Sequence, residues 1–183
     1  MLILMIISEL NLKNVFLIKH QIFKDDRGHF KRLFCKKIFK ANKINFENKQ
    51  SNYSFNLTKY TLRGFHFQKK PFQEDKLITC IKGKIYDIIL DLRPKSKTFL
   101  KWISVNIDAK DNTSILIPKG CANAWMTMKD NTSLLYHHSQ FYKPGYEFSI
   151  RYNDPFFKFD WPQNPKIISM KDRNIKDFKL KNL

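Results

Sequence analysis

Lys76-Leu77-Ile78-Thr79-Cys80-Ile81-Lys82-Gly83-Lys84-Ile85-Tyr86-Asp87-Ile88-Ile89-Leu90-Asp91-Leu92 holds two short apolar runs parted by a single glycine. Both runs are rich in β-branched and aromatic residues, the mark of strands. The Lys82-Gly83-Lys84 step between them reads as a tight hairpin turn. Runs of the same kind recur at 14–19 (NVFLIK), 98–107 (TFLKWISVNI) and 133–138 (SLLYHH), with Pro94, Pro118 and Pro144 marking loops between them. Many short strands on one chain predict an all-β sandwich or barrel. Helical pattern is confined to 33–42, where Leu33, Ile38 and Phe39 share a face, and to a turn after Ser169.

The 183 residues suit one domain spanning 1–183, without repeat, low-complexity segment or linker. Seventeen phenylalanines supply ample apolar mass for a core. The net charge of +18 points toward an anionic partner, but the basic residues are scattered. That scatter reads as a solvated surface, and no recognition helix or RNP-type motif supports nucleic-acid binding. Cys35, Cys80 and Cys121 form an odd set with no CxxC pair, which argues against a disulfide framework and for a reducing, cytoplasmic setting. The opening MLILMII is too short to span a bilayer and lacks the marks of a signal peptide. It reads as the lead-in to a first strand, with Met5 as an alternative start, and no membrane role is expected.

The densest chemistry lies in Arg63-Gly64-Phe65-His66-Phe67-Gln68. Strict strand alternation would send Thr61, Arg63, Phe65 and Phe67 one way and Leu62, His66 and Gln68 the other. A histidine and a glutamine facing a barrel interior make a polar pocket. Taken alone, His66 reads more readily as a core or surface histidine.

It is not alone. Phe23-Lys24-Asp25-Asp26-Arg27-Gly28, Gln50-Ser51-Asn52, Leu62 to Gln68, Lys76-Leu77, Asp91-Leu92-Arg93 and Thr98-Phe99 follow one another in a familiar order. Ile117-Pro118-Lys119-Gly120, Tyr136, Tyr142-Lys143-Pro144, Asn153-Asp154-Pro155, Trp161-Pro162 and Ser169-Met170-Lys171-Asp172 continue it. In this order the sequence resembles the dTDP-4-dehydrorhamnose 3,5-epimerase family across nearly its whole length. The resemblance implies a cupin jelly roll and a cofactor-free epimerase of nucleotide-linked 4-keto sugars, serving surface-polysaccharide synthesis.

A ketone at C4 acidifies the hydrogens on C3 and C5, so inversion needs a base on one face, an acid on the other and positive charge near the enolate oxygen. The resemblance assigns these roles to His66 as base, Asp172 as its carboxylate partner, Tyr136 as opposite-face acid and Lys76 beside the keto oxygen. Singly, Tyr136 reads as core, Lys76 as an exposed lysine and Asp172 as part of a solvated, charged tail. Arg27 and Arg63 match diphosphate-binding arginines. Gln50, Asn52 and Gln68 match the sugar pocket, and Tyr142 falls in the nucleotide-base segment.

Metal-binding cupins present a His-x-His pair with a Glu and a later His, whereas this chain has His66-x-Gln68. No metal is expected, and of His137 and His138 only one can face a barrel interior. Two departures stand out. Asn123 occupies a position where the family carries a substrate-side histidine, and Arg32 one where it carries a carboxylate. These changes leave both dTDP- and GDP-linked substrates open, and both 4-keto-6-deoxyhexoses and 4-keto-heptoses. Inversion at C3, at C5 or at both is also left open. A homodimer is implied, with a pocket arginine supplied by the second copy. The rival readings are a non-catalytic sugar-nucleotide-binding cupin and a ketoisomerase.

Overall fold

The computed structural model describes residues 5–180. The apolar residues before Met5 lie outside them. In chain order the strands are β1 (Met5–Glu9), β2 (Phe16–His20), β3 (Ile22–Asp25), β4 (Gly28–Lys31), β5 (Gln50–Asn56), β6 (Thr61–Gln68) and β7 (Lys76–Lys82). They continue with β8 (Lys84–Asp91), β9 (Trp102–Asp108), β10 (Thr113–Ile117), β11 (Cys121–Thr127), β12 (Thr132–His138), β13 (Glu147–Ser149) and β14 (Ile167–Ile168). Two short helices, α1 (Lys36–Ala41) and α2 (Met170–Arg173), complete the fold. One sheet runs β1-β2-β10-β7-β12-β5 and a second β13-β6-β11-β8-β9, with β14 parallel on β6 and β3-β4 as a separate hairpin. This is the expected all-β cupin jelly roll.

The sheets face each other over a core to which both contribute. Ile78, Cys80, Ile115 and Leu134 come from the first sheet, and Ile85, Ile89, Ile107 and Trp125 from the second. Their outer faces are covered as well. Phe39 and Phe46, on and after α1, close over Ile18, Leu77 and Leu116, while Phe157, Phe159, Trp161 and Phe178 close over Ile88, Leu90, Ala122 and Ala124. Burial on both faces explains why β11 is buried along its whole length and reads as continuous, not alternating.

Several expectations need correction. Lys82-Gly83-Lys84 is not a hairpin: β7 pairs with β10 and β12, whereas β8 pairs with β9 and β11. The chain changes sheets at Gly83, so the two runs meet face to face across the core. Gly83 has φ +85°, and a Cβ there would lie 2.3 Å from Thr132 Oγ1. The 98–107 run becomes strand only at Trp102, because Ser96 and Thr98 turn back to donate to Asp91 Oδ2, each at 2.6 Å. Helix α1 is shorter than 33–42 and leaves Leu33 outside it. The tail beyond Lys171 is not wholly solvated: Phe178 packs on the second sheet and its N–H donates to Asp154 Oδ2 at 2.6 Å.

Candidate active site

Register on the first sheet builds one wall of a cavity of about 570 Å³. Strand β12 lies between β5 and β7, with Tyr136 opposite Asn52 and Ile78, and His138 opposite Gln50 and Lys76. Cross-strand partners share a face. Gln50, Asn52, Lys76, Tyr136 and His138 thus form one polar patch, and all five line the cavity.

The second sheet supplies the opposite wall through an irregularity. His66 pairs with Asn123 but Arg63 pairs with Trp125, so β6 carries one residue more than β11 over this span. The bulge sits at Gly64, whose φ is +110° and whose added Cβ would lie 2.6 Å from Asn123 O. Phase is lost there, so Arg63 and His66, three apart, both line the cavity. The strict alternation that set Arg63 on the far face from His66 is corrected accordingly. Phe65 goes to the outer core.

His66 Nε2 lies 2.7 Å from Asp172 Oδ1, leaving Nδ1 as the ring nitrogen the carboxylate does not use. Asp172 arrives from the far end of the chain because β14 pairs in parallel with Thr61 and Leu62 of β6, and α2 starts immediately after it. Ser169 caps that turn by accepting from the Asp172 N–H at 3.0 Å. Burial opposes ionisation of Asp172, but hydrogen bonds from His66, Ser169 and the Gly64 backbone prevail and hold its carboxyl below the usual range.

Lys76 is buried, and its Nζ donates to His66 O at 2.6 Å and to Asn123 Oδ1 at 3.3 Å, with Glu74 Oε1 at 3.4 Å. Asn123 in turn donates through Nδ2 to Asp87 Oδ1 at 3.1 Å. Asp87 is fully buried and its Oδ2 has no partner. Burial pushes its carboxyl up to about 7 against the pull of Asn123 and Lys76. Burial likewise raises the Tyr136 phenol, which stays protonated at neutral pH. His138 is pushed down to about 4 by burial and by the Lys76 and His137 charges, so it is a neutral imidazole.

The remaining candidates divide. Gln50 and Asn52 hydrogen-bond to each other at 3.2 Å, and Gln50 Oε1 accepts the Tyr142 N–H at 3.0 Å. Tyr142 stands exposed at the cavity, donating its hydroxyl to Glu147, which Lys171 also pairs at 3.1 Å. Arg63 Nε is held by Asn56 Oδ1 at 2.9 Å. Gln68 lines the cavity, but its amide is spent on the loops: Nε2 reaches Phe72 O, Glu74 Oε2 and Phe141 O, and Oε1 accepts from the Lys143 N–H at 2.7 Å. Arg27 lies on the exposed β3–β4 turn, paired with Asp25 at 2.6 Å, outside the cavity lining of its own chain.

Sequence reasoning passed over Glu74 and Asp87, and left open which of His137 and His138 faces the cavity. A carboxylate inside the apolar run of β8 is itself a signal, since a buried charge demands a partner. Of the His137-His138 pair, His138 lines the cavity while His137 bonds Ser51 Oγ at 2.9 Å. Among the described residues no group of three or more His, Cys, Asp or Glu side chains is placed to hold a metal ion. No helix among them is long and apolar enough to cross a membrane.

Comparison with known proteins agrees with this geometry. The family model for dTDP-4-dehydrorhamnose 3,5-epimerase matches residues 9–180. The dTDP-4-dehydrorhamnose 3,5-epimerase of Shigella flexneri is 33% identical over 90% of this chain and 91% of its own length. The crystal structure of the Bacillus anthracis enzyme, solved with TDP and PPi bound, superposes with a TM-score of 0.91 at 33% identity, covering 95% of this chain and 99% of that one. ChmJ, a 3'-monoepimerase from Streptomyces bikiniensis in complex with dTDP-quinovose, gives a TM-score of 0.84 at 28% identity over 92% of this chain and 85% of its own. The chain belongs to the dTDP-4-dehydrorhamnose 3,5-epimerase family of nucleotide-sugar isomerases.

Proposed function

We propose that the protein inverts carbons flanking the C4 ketone of a nucleotide-diphosphate 4-keto sugar, with His66 as base and Tyr136 as acid. The observation carrying this reading is their placement on facing sheets of one cavity, His66 backed by the buried Asp172 carboxylate. His66 takes the proton from carbon, and the electron pair moves to the ketone oxygen as an enolate. Lys76 offsets that charge. Tyr136 then delivers its proton to the opposite face, leaving imidazolium on one wall and phenolate on the other. Solvent returns the proton before the next turnover.

Arg63, and Arg27 reaching over from a second copy, are proposed diphosphate ligands. The exposed Tyr53 and Phe55 on edge strand β5 support a homodimer. Gln50, Asn52, Asn123 and Tyr142 would hold the sugar and base. Gln68 supports the loops around them. The setting is cytoplasmic. The relatives' names favour a dTDP carrier, whereas Asn123, where the family's pattern has a histidine, keeps a GDP-linked heptose in play. Proton NMR in deuterium oxide with dTDP- and GDP-linked 4-keto-6-deoxyhexose and 4-keto-heptose tests the proposal. Washout at C3, C5 or both on one carrier names the substrate. Binding without exchange on every carrier overturns catalysis.

A further inference from the structure

Glu74 belongs to no role assigned so far. It stands in the loop between β6 and β7, buried, with its carboxylate lining the cavity. A buried carboxylate is costly unless paired. Its Oε2 accepts from Gln68 Nε2 at 3.0 Å and its Oε1 lies 3.4 Å from Lys76 Nζ. The first contact needs only an oxygen, which a neutral glutamine would provide. Nor does the loop need a charge to keep its shape, because Gln68 also ties Phe72 O, Phe141 O and the Lys143 N–H. What calls for explanation is therefore the negative charge itself, and its ion-pair partner among the described residues is the buried Lys76.

The three acceptors around the Lys76 ammonium are the His66 carbonyl, the Asn123 side-chain oxygen and Glu74, and Glu74 alone among them carries a full charge. The facing wall carries Arg63 and, after proton abstraction, the His66 imidazolium. Without Glu74 the buried ammonium would face that wall held by two neutral dipoles alone. Asp87 does not substitute for it, since the Asn123 amide stands between Asp87 and Lys76.

We propose that Glu74 is a positioning residue for the reaction, holding the Lys76 ammonium aimed into the cavity, where it meets the oxygen of the enolate. The inference rests on the proposed role of Lys76, and the test separates the two. Glu74→Gln keeps an oxygen for Gln68 and removes the charge; Lys76→Met removes the ammonium. Exchange rates, kcat and KM are measured for both variants and for their combination, on the carrier sugar that the wild-type enzyme turns over.

Loss of one preorganised electrostatic contact costs about 10²–10³ in kcat, and a partner acting through that contact costs less. The expected result is a drop of about tenfold in kcat for Glu74→Gln with KM within about twofold. The double variant should be no slower than Lys76→Met alone, the non-additivity of groups acting as a unit. Glu74→Asp, which keeps the charge, should recover part of the rate. If Lys76→Met alone keeps the wild-type rate, the role of Lys76 is wrong and the inference falls with it. If Lys76→Met is crippled while Glu74→Gln turns over normally, or the two losses simply add, Lys76 stands and the inference about Glu74 is overturned.

Discussion

Replacing Asp172 by asparagine removes a charge and one acceptor while leaving the side-chain shape intact. Three donors converge on this carboxylate, the His66 ring at 2.7 Å, the Ser169 hydroxyl and the Gly64 backbone N–H. An amide has one oxygen and one NH₂, so whichever way the substituted side chain turns, an NH₂ group confronts a donor. Facing His66, it forces the ring into the tautomer that protonates Nδ1, the nitrogen a base needs free. Facing Gly64, it leaves a backbone donor unpaired. Either outcome costs about 1–2 kcal/mol. The charge adds its own share, because opposite charges about 4 Å apart attract by about 4 kcal/mol at an effective dielectric near 20. His66 has 48% of its side chain exposed, and solvent screening cuts that to about 2 kcal/mol. The sum, about 3–4 kcal/mol, is a fall of about 10²–10³-fold in kcat. Deuterium washout at C3 and C5 measures it, with a thermal melt to confirm folding. A folded Asp172→Asn variant within about threefold of the wild-type rate would refute a catalytic part for the pairing.

Other outcomes follow from the same geometry. Tyr136→Phe keeps the base but removes the opposite-face acid, so it should exchange solvent deuterium into substrate with retention and yield little inverted sugar; inversion at the wild-type rate would remove Tyr136 from the mechanism. Asp87 has its folded pKa raised from 3.8 to about 7, so the native state binds the proton more tightly and stability falls as pH rises between those values. Asp87→Asn lifts that penalty, worth up to about 4 kcal/mol above pH 7, so its melting temperature should gain on wild type more at pH 8 than at pH 5; parallel profiles would contradict a buried, proton-holding Asp87. Gly64→Ala puts a Cβ 2.6 Å from the Asn123 carbonyl and 2.7 Å from Ala124 Cα at φ +110°, and should lose more than about 3 kcal/mol of stability. An unchanged melt would mean that the bulge tolerates a side chain.

What the sequence could reveal of this site depended on where each contact runs. Gln50, Asn52, Tyr136 and Lys76 share a face through ladder register, and strands β7 and β12 were foreseeable from short apolar runs, whereas the polar strand β5 and the order of the three in the sheet were not. Arg63 and His66 failed a simple alternation count because one extra residue at Gly64 resets the phase, and the cause lies in the partner strand β11. The glycine was visible, but what crowds it was not. Asp172 was legible only through resemblance, since no periodicity links a four-residue helix to a histidine 106 positions away. The same limit hid Glu74, whose charge has meaning only once β6 and β7 lay Gln68 and Lys76 beside it. Sequence pattern thus reports which face a side chain occupies, while the pairing of charges across the cavity is set by topology. Glu74, proposed to position Lys76, and the buried Asp87 behind Asn123 are of the second kind. Differences in reactivity among family members that keep the His66, Tyr136 and Asp172 arrangement should therefore be sought in such buried neighbours before the catalytic set itself.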